Sequence, residues 1–263
     1  ETIGRIHDGA IGDIIAIRGY RMCGRACTCG PCPEGENELL FQIRHFHKFI
    51  WASGGMYSDF YIHQIDECSW MKGDWPVKAH ALGGRHYRGK YVDQNLDSYG
   101  VEYTYPDGTK LFYNGRAMAG CHDEFASYAH GSKGGAIIST SSHHPGRVRT
   151  FKGQDFDKAN LTWGPPEEPN PYQMEWEDLT EAIRQDKPYN EAKRGAEASL
   201  VTSMGRMSAH TGQIVTFDQI LNCEHEMAPD VDKFTMDSPP PVPSDKDGKY
   251  PVPMPGVNRK REY

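Results

Sequence analysis

Gly54-Gly55-Met56-Tyr57-Ser58-Asp59-Phe60-Tyr61-Ile62-His63-Gln64-Ile65-Asp66 is the stretch from which the rest of the chain can be placed. Two glycines interrupt the preceding pattern, and apolar residues then recur at helical spacing, predicting one helix over 56–71. On that helix Asp59 and His63 stand four apart and share a face, about a turn from each other. Asp66, three residues further on, extends the same face. A carboxylate beside an imidazole raises its basicity and fixes its orientation, which suits the ring to exchange a proton with a hydroxyl near neutral pH. By spacing alone the pair also fits a solvated helix surface or, because Asp and His at i,i+4 can ligate together, a metal site.

Working outward, residues 11–20 are rich in β-branched side chains and predict a buried strand, and 38–52 predict a helix. Strand-like runs follow at 77–81, 98–105, 110–115, 125–130, 135–140 and 148–151. Between the second and third of these, Pro106-Asp107-Gly108 predicts a turn in which Pro presets φ and Gly supplies a positive one. Two amphipathic helices, 173–185 and 192–210, come last. Hairpin-spaced strands bracketed by helices predict an α+β fold, with one open, mostly antiparallel or mixed sheet and helices on one face. The other face then needs a partner, so a homo-oligomer through the sheet face is expected. Residues 1–221 form this domain. Residues 222–263, with Pro239, Pro240, Pro241, Pro243, Pro251, Pro253 and Pro255, form an extended arm, either disordered or strapped along a neighbouring subunit.

Composition narrows the function classes. The 263 residues carry 36 acidic and 29 basic side chains, a net charge of -7, without the basic stripe of a nucleic-acid binder. No apolar run approaches the ~20 residues that span a bilayer. Residues 1–17 lack the basic start and apolar stretch of a signal peptide, but a mature exported chain would lack them too, so cytoplasm and periplasm both stay open. Cys23, Cys27, Cys29 and Cys32 crowd one Gly-rich loop. They fit two local disulfides, a zinc or iron–sulfur site, or free thiols. His45 and His47 flank Phe46 and point apart on the predicted helix, against a joint metal site. His143-His144 reads as an exposed turn. The five tryptophans are better read as core than as sugar-stacking faces.

Gly54-Gly55 followed by Asp59-x-x-x-His63-x-x-Asp66 resembles the substrate domain of the Gfo/Idh/MocA oxidoreductases, the family of glucose–fructose oxidoreductase and inositol dehydrogenase. Other stretches fit in the same order: Gly9-Ala10-Ile11-Gly12-Asp13-Ile14, Trp70-x-x-Gly73-x-x-Pro76, Tyr105-Pro106-Asp107-Gly108, Gly131-Ser132-Lys133-Gly134-Gly135, residues 182–188 and Ser208-Ala209-His210-Thr211-Gly212. The resemblance covers roughly residues 1–221. It implies an NAD- or NADP-linked sugar or cyclitol oxidoreductase in which His63 is the general acid/base and Asp59 orients it or binds a substrate hydroxyl. Arg85 and His86, where such proteins often carry Gly-Gly-Arg, are candidate substrate contacts. Asp66 is a third candidate, for which a structural role fits as well.

One departure is large. These 263 residues contain no Gly-x-Gly-x-x-Gly between a strand and a helix, so no dinucleotide cradle is expected in them, and the family's Glu-Lys-Pro lysine is not among them either. Three readings follow. The chain is the substrate-binding part of a sugar oxidoreductase whose Rossmann part lies outside this stretch or on a separate subunit, and this is the reading adopted. Alternatively it is a stand-alone carbohydrate isomerase or lyase using the Asp/His pair, with or without a divalent metal. The third is a carbohydrate-binding scaffold, against which the retained Asp59/His63 pair counts.

Overall fold

Strands form where β-branched and aromatic residues alternate with polar ones. The computed structural model describes residues 1–86, 88–140, 146–166 and 170–263; the His143-His144 pair lies outside them. In chain order the elements are α1 (Thr2–His7), β1 (Ile14–Cys23), α2 (Glu38–Arg44), α3 (Ile50–Ser53), α4 (Gly55–Phe60), α5 (Ile62–Lys72), β2 (Lys78–Gly84), β3 (Ser98–Thr104) and β4 (Lys110–Ala117). They continue with β5 (Glu124–Gly131), β6 (Gly134–Thr140), β7 (Arg149–Lys152), β8 (Leu161–Trp163), α6 (Pro171–Arg184), α7 (Ala192–Thr211), β9 (Val215–Thr216) and α8 (Phe217–Leu221). This is the expected α+β architecture built on one open, mixed sheet.

The strands line up as β8-β7-β6-β5-β1-β4-β3-β2-β9. β1 runs parallel to β4 and antiparallel to β5, with Gly19 between Tyr113 on one side and Ser127 on the other. The remaining neighbours pair antiparallel. The β3–β4 turn follows the predicted chemistry: Gly108 takes φ +88°, Asp107 Oδ1 accepts the Thr109 amide at 2.9 Å, and Lys72 Nζ pairs with the same carboxylate at 2.6 Å.

Helices α4, α5 and α7 pack on one face of the sheet. Between them and the strands lies a layer of buried tyrosines, Tyr57, Tyr61, Tyr99, Tyr103 and Tyr113, whose rings meet at 4.9 to 6.2 Å. Tyr57 and Tyr103 share a 2.9 Å hydrogen bond, the partner that a buried hydroxyl requires. On the opposite face Leu82 and Phe112 stay 69% and 42% exposed, in a shallow depression of about 260 Å³ that His80 and Glu102 also line.

Two predicted helices are interrupted. The run 38–52 breaks after α2 because Phe49 turns extended and buries its ring, and the Gln94 side chain then accepts the Ile50 amide at 2.9 Å to start α3. The run 56–71 divides at Tyr61, which keeps a helical backbone (φ -86°, ψ -14°). Asp59 therefore closes α4, and His63 opens α5.

The Pro-rich tail neither hangs free nor needs a neighbour to lie on. Val242 and Tyr250 join Cys29, Phe41, Phe49 and Val92 in a second apolar cluster. Polar ties accompany them: Gln42 Nε2 donates to the Val242 carbonyl at 2.6 Å and Gln94 Nε2 to that of Pro251 at 2.8 Å. The Gly256 amide donates to Thr211 O at 2.9 Å. The arm straps its own chain through Val242 and Tyr250, which are buried in this cluster, while Val231, Met236, Met254 and Val257 stay exposed.

Candidate active site

The glycine pair brings backbone against side chains. Gly54 and Gly55 take φ of +74° and +65°, a region that glycine enters without steric cost. A Cβ on Gly54 would overlap the Arg206 guanidinium and Ser58, and one on Gly55 would lie 2.6 Å from Asn95 Oδ1. That oxygen accepts the Met56 amide at 2.7 Å. The Asn95 amide group donates to the carbonyls of Cys27 at 3.1 Å and His47 at 3.0 Å. One buried asparagine thus joins the cysteine loop, the turn before α3 and the start of α4.

At the far end of α4, Asp59 Oδ2 lies 2.5 Å from His47 Nδ1, with both side chains about a third exposed (28% and 33%). The His47 ring also meets the Phe60 ring at 5.8 Å. His63, half-buried, stands on the next turn. On the same side of the sheet, near the end of β1, Arg21, Cys23, Asp123 and Phe125 line a cavity of about 360 Å³. The Arg21 guanidinium stacks 3.7 Å over the Phe125 ring and lies 5.5 Å from that of Phe60. A carboxylate, two imidazoles and a guanidinium beside aromatic faces are groups that can bind vicinal hydroxyls and exchange a proton with one of them.

His47, Arg21 and Phe125 did not stand out in the sequence. His47 had been weighed only as a metal partner of His45. Arg21 falls just past the predicted end of the first strand, although it keeps the alternation of Ile17 and Gly19.

Three predicted substrate contacts have partners within the chain. Arg85 donates to the carbonyls of Asn95 (2.5 Å) and Tyr91 (3.1 Å) and to Asp93 (3.3 Å), so its guanidinium is spent on the 85–97 loop. Asp93 is buried there between Arg85 and Arg88, and burial pushes its carboxyl up against the pull of both cations. His86 donates its backbone amide to Asp97 at 2.5 Å and sets its ring nitrogen 3.1 Å from Ser98 Oγ. Asp66 accepts both Nη2 contacts of Arg194 at 3.0 Å, and Arg194 lies 4.9 Å over the Trp70 ring. That pair ties α5 to α7.

The four clustered cysteines do not converge. All are free thiols, and among the described residues no three His, Cys, Asp or Glu side chains are placed to hold a metal ion. Cys23 and Cys27 pack against the main core, whereas Cys29 and Cys32 belong to the second cluster. Two cores divide the loop between them. Burial pushes the Cys27 and Cys29 thiols up to about 12, with nearby Asp59 and Asp93 reinforcing the shift. The glycine-rich stretch 131–135 is the β5–β6 turn and offers no helix N-terminus for a pyrophosphate. That turn therefore does not fit the pyrophosphate of a nicotinamide dinucleotide.

No family model and no curated protein sequence matches this chain. Solved structures do. The chain superposes on aldose-aldose oxidoreductase from Caulobacter crescentus complexed with glycerol at 17% identity, over 82% of this chain and 59% of that one, with a TM-score of 0.59. It superposes on myo-inositol 2-dehydrogenase from Lactobacillus plantarum at 20% identity, over 81% and 60%, with a TM-score of 0.52. For levoglucosan dehydrogenase in complex with NADH the values are 15%, 82%, 62% and 0.60. The fold is that of the Gfo/Idh/MocA C-terminal domain. The chain spans about 60% of the length of these structures. Among the described residues, no helix is long and apolar enough to cross a membrane.

Proposed function

We propose that this chain is the substrate-binding part of an NAD- or NADP-linked sugar or cyclitol oxidoreductase of the Gfo/Idh/MocA family. His63 acts as the general acid/base on a substrate hydroxyl. Asp59, beside His47, binds a neighbouring hydroxyl. Arg21, with Phe60 and Phe125, offers a guanidinium and two ring faces to the polar and C–H faces of a saturated ring. The nicotinamide is held by residues outside these 263, on a preceding segment or a separate subunit, and this chain supplies binding, orientation and the proton. The open face bearing Leu82 and Phe112 supports assembly into a homo-oligomer.

The observation that carries the proposal is the partly exposed Asp59–His47 contact, close in sequence to His63, in a chain whose fold resembles that of myo-inositol 2-dehydrogenase and levoglucosan dehydrogenase. The test is NAD(P)-linked oxidation of a panel of aldoses and cyclitols by the complete protein. His63→Asn should lower turnover by about 10²–10⁴-fold with the circular dichroism unchanged. Unchanged turnover in that variant would remove His63 from the mechanism.

A further inference from the structure

The last residues of the chain end inside the protein. Glu262 is fully buried. Its carboxylate takes Arg206 Nε at 3.0 and 3.2 Å, Arg206 Nη2 at 3.0 Å and His210 Nδ1 at 2.5 Å. Arg206 and His210 stand four apart on α7, so they present one face to this carboxylate. Behind His210, Tyr99 Oη lies 3.1 Å from Nε2 and accepts the Leu96 amide at 3.3 Å. Burial pushes the His210 imidazole down, against the pull of Glu262. The Arg206 guanidinium and the Glu262 carboxylate offset each other's charge.

The remaining arm of Arg206 reaches the candidate site. Its Nη1 receives Ser58 Oγ as acceptor at 2.6 Å, and the same guanidinium lies against Gly54. Ser58 immediately precedes Asp59. A continuous chain of contacts therefore runs from the chain's penultimate residue to the helix that carries Asp59.

We propose that Arg206 and His210 form a carboxylate receptor which the chain fills with its own Glu262, and that this docking fixes α4 so that Asp59 meets His47. Glu262 is a positioning residue, and the 222–263 arm is the strap that delivers it. The importance of α4 rests on the function proposed above; the receptor does not.

The experiment is hydrogen–deuterium exchange on the complete protein. Glu262→Ala should speed exchange of the α4 amides roughly tenfold and leave β5 and β6 as they were. Sodium acetate, which offers the missing carboxylate, should slow α4 again in Glu262→Ala but not in Glu262→Ala/Arg206→Met. If Glu262→Ala does not fold, Ser58→Ala carries the test. It keeps the Glu262–Arg206 pair and cuts only the link to α4, so α4 exchange should rise with the unfolding midpoint held. Unchanged α4 exchange, a uniform rise across the whole chain, or acetate without effect would overturn the proposal. Sugar binding by Asp59→Asn is read separately, so failure of the function leaves this result standing.

Discussion

The Asp59 carboxylate lies 2.5 Å from Nδ1 of His47, a residue of the turn between α2 and α3. Two segments that are separate in sequence thus hold one acidic group at the mouth of the candidate site. His47→Phe keeps an aromatic ring beside Phe60 and deletes the ion pair. It should weaken sugar binding by roughly 2- to 5-fold, the size expected of a part-exposed pair. Asp59→Asn should weaken it further, because Asp59 also offers its carboxylate to a substrate hydroxyl, and adding His47→Phe to that variant should cost little more. Titration calorimetry reads the cycle; fully additive losses would show that the two side chains act apart.

Glu67 gives a pH dependence of stability. Its side chain is buried on α5 and accepts the Ser127 hydroxyl. Burial pushes its carboxyl from 4.5 up to about 8, partly opposed by that hydrogen bond. Because the folded value exceeds the unfolded one, this contribution is complete below pH 4.5 and is lost as pH rises towards 8. Glu67→Gln should match the native protein near pH 4 and exceed it in stability near pH 8 by on the order of 1 kcal/mol or more. Denaturant titrations at both pH values check this. A variant less stable at the higher pH would mean that the carboxylate is stabilised as an ion.

Two glycines of α7 should respond in opposite directions. A Cβ on Gly205 would overlap the Tyr103 hydroxyl and lie 2.7 Å from that of Tyr57, whereas one on Gly195 would meet nothing within 4 Å. Gly205→Ala should destabilise by about 2–4 kcal/mol through overpacking the tyrosine layer. Gly195→Ala should stabilise by about 0.5–1 kcal/mol by restricting the unfolded chain. Thermal unfolding of both variants decides whether α7 packs as described.

Thiol reactivity separates the cysteines. Cys121 and Cys223 are exposed, whereas the Cys27 and Cys29 thiols are pushed up to about 12 and stay protonated at neutral pH. Since the thiolate is the nucleophile, iodoacetamide should label Cys121 and Cys223 first. Mapping by peptide mass reads this. Early labelling of Cys27 or Cys29, or their protection until a reductant is added, would contradict the free, buried thiols.

The sheet was legible in the sequence wherever strands were long enough to alternate, and the helix carrying Asp59 and His63 could be placed from its glycine pair and spacing. The breaks were not legible. Phe49 leaves its helix because a distant residue, Gln94, caps the next one, and periodicity carries no such long-range information. β8 and β9 are too short to show a period. The cysteine cluster looked like a ligand set because sequence spacing cannot show that two separate cores divide the loop. Asp66, Arg85 and His86 have the right chemistry for a substrate site, but spacing does not show that Asp66 meets Arg194 on α7, that Arg85 folds back onto Asp93 and the Asn95 carbonyl in its own loop, or that the His86 ring lies beside Ser98. The tail looked like an arm for a neighbour because Val242, Tyr250 and Glu262 are sparse among prolines. Each nevertheless finds a buried place on its own chain.

The most direct measurement is a titration of the isotopically labelled protein with sugars and cyclitols, followed by amide and imidazole resonances. The account predicts saturable shifts concentrated at Asp59, His63, His47 and Arg21 for at least one polyol, and a weaker affinity in Asp59→Asn and His63→Asn variants that keep the native spectrum elsewhere. Shifts confined to the open sheet face around Leu82 and Phe112, or binding untouched by both substitutions, would contradict it.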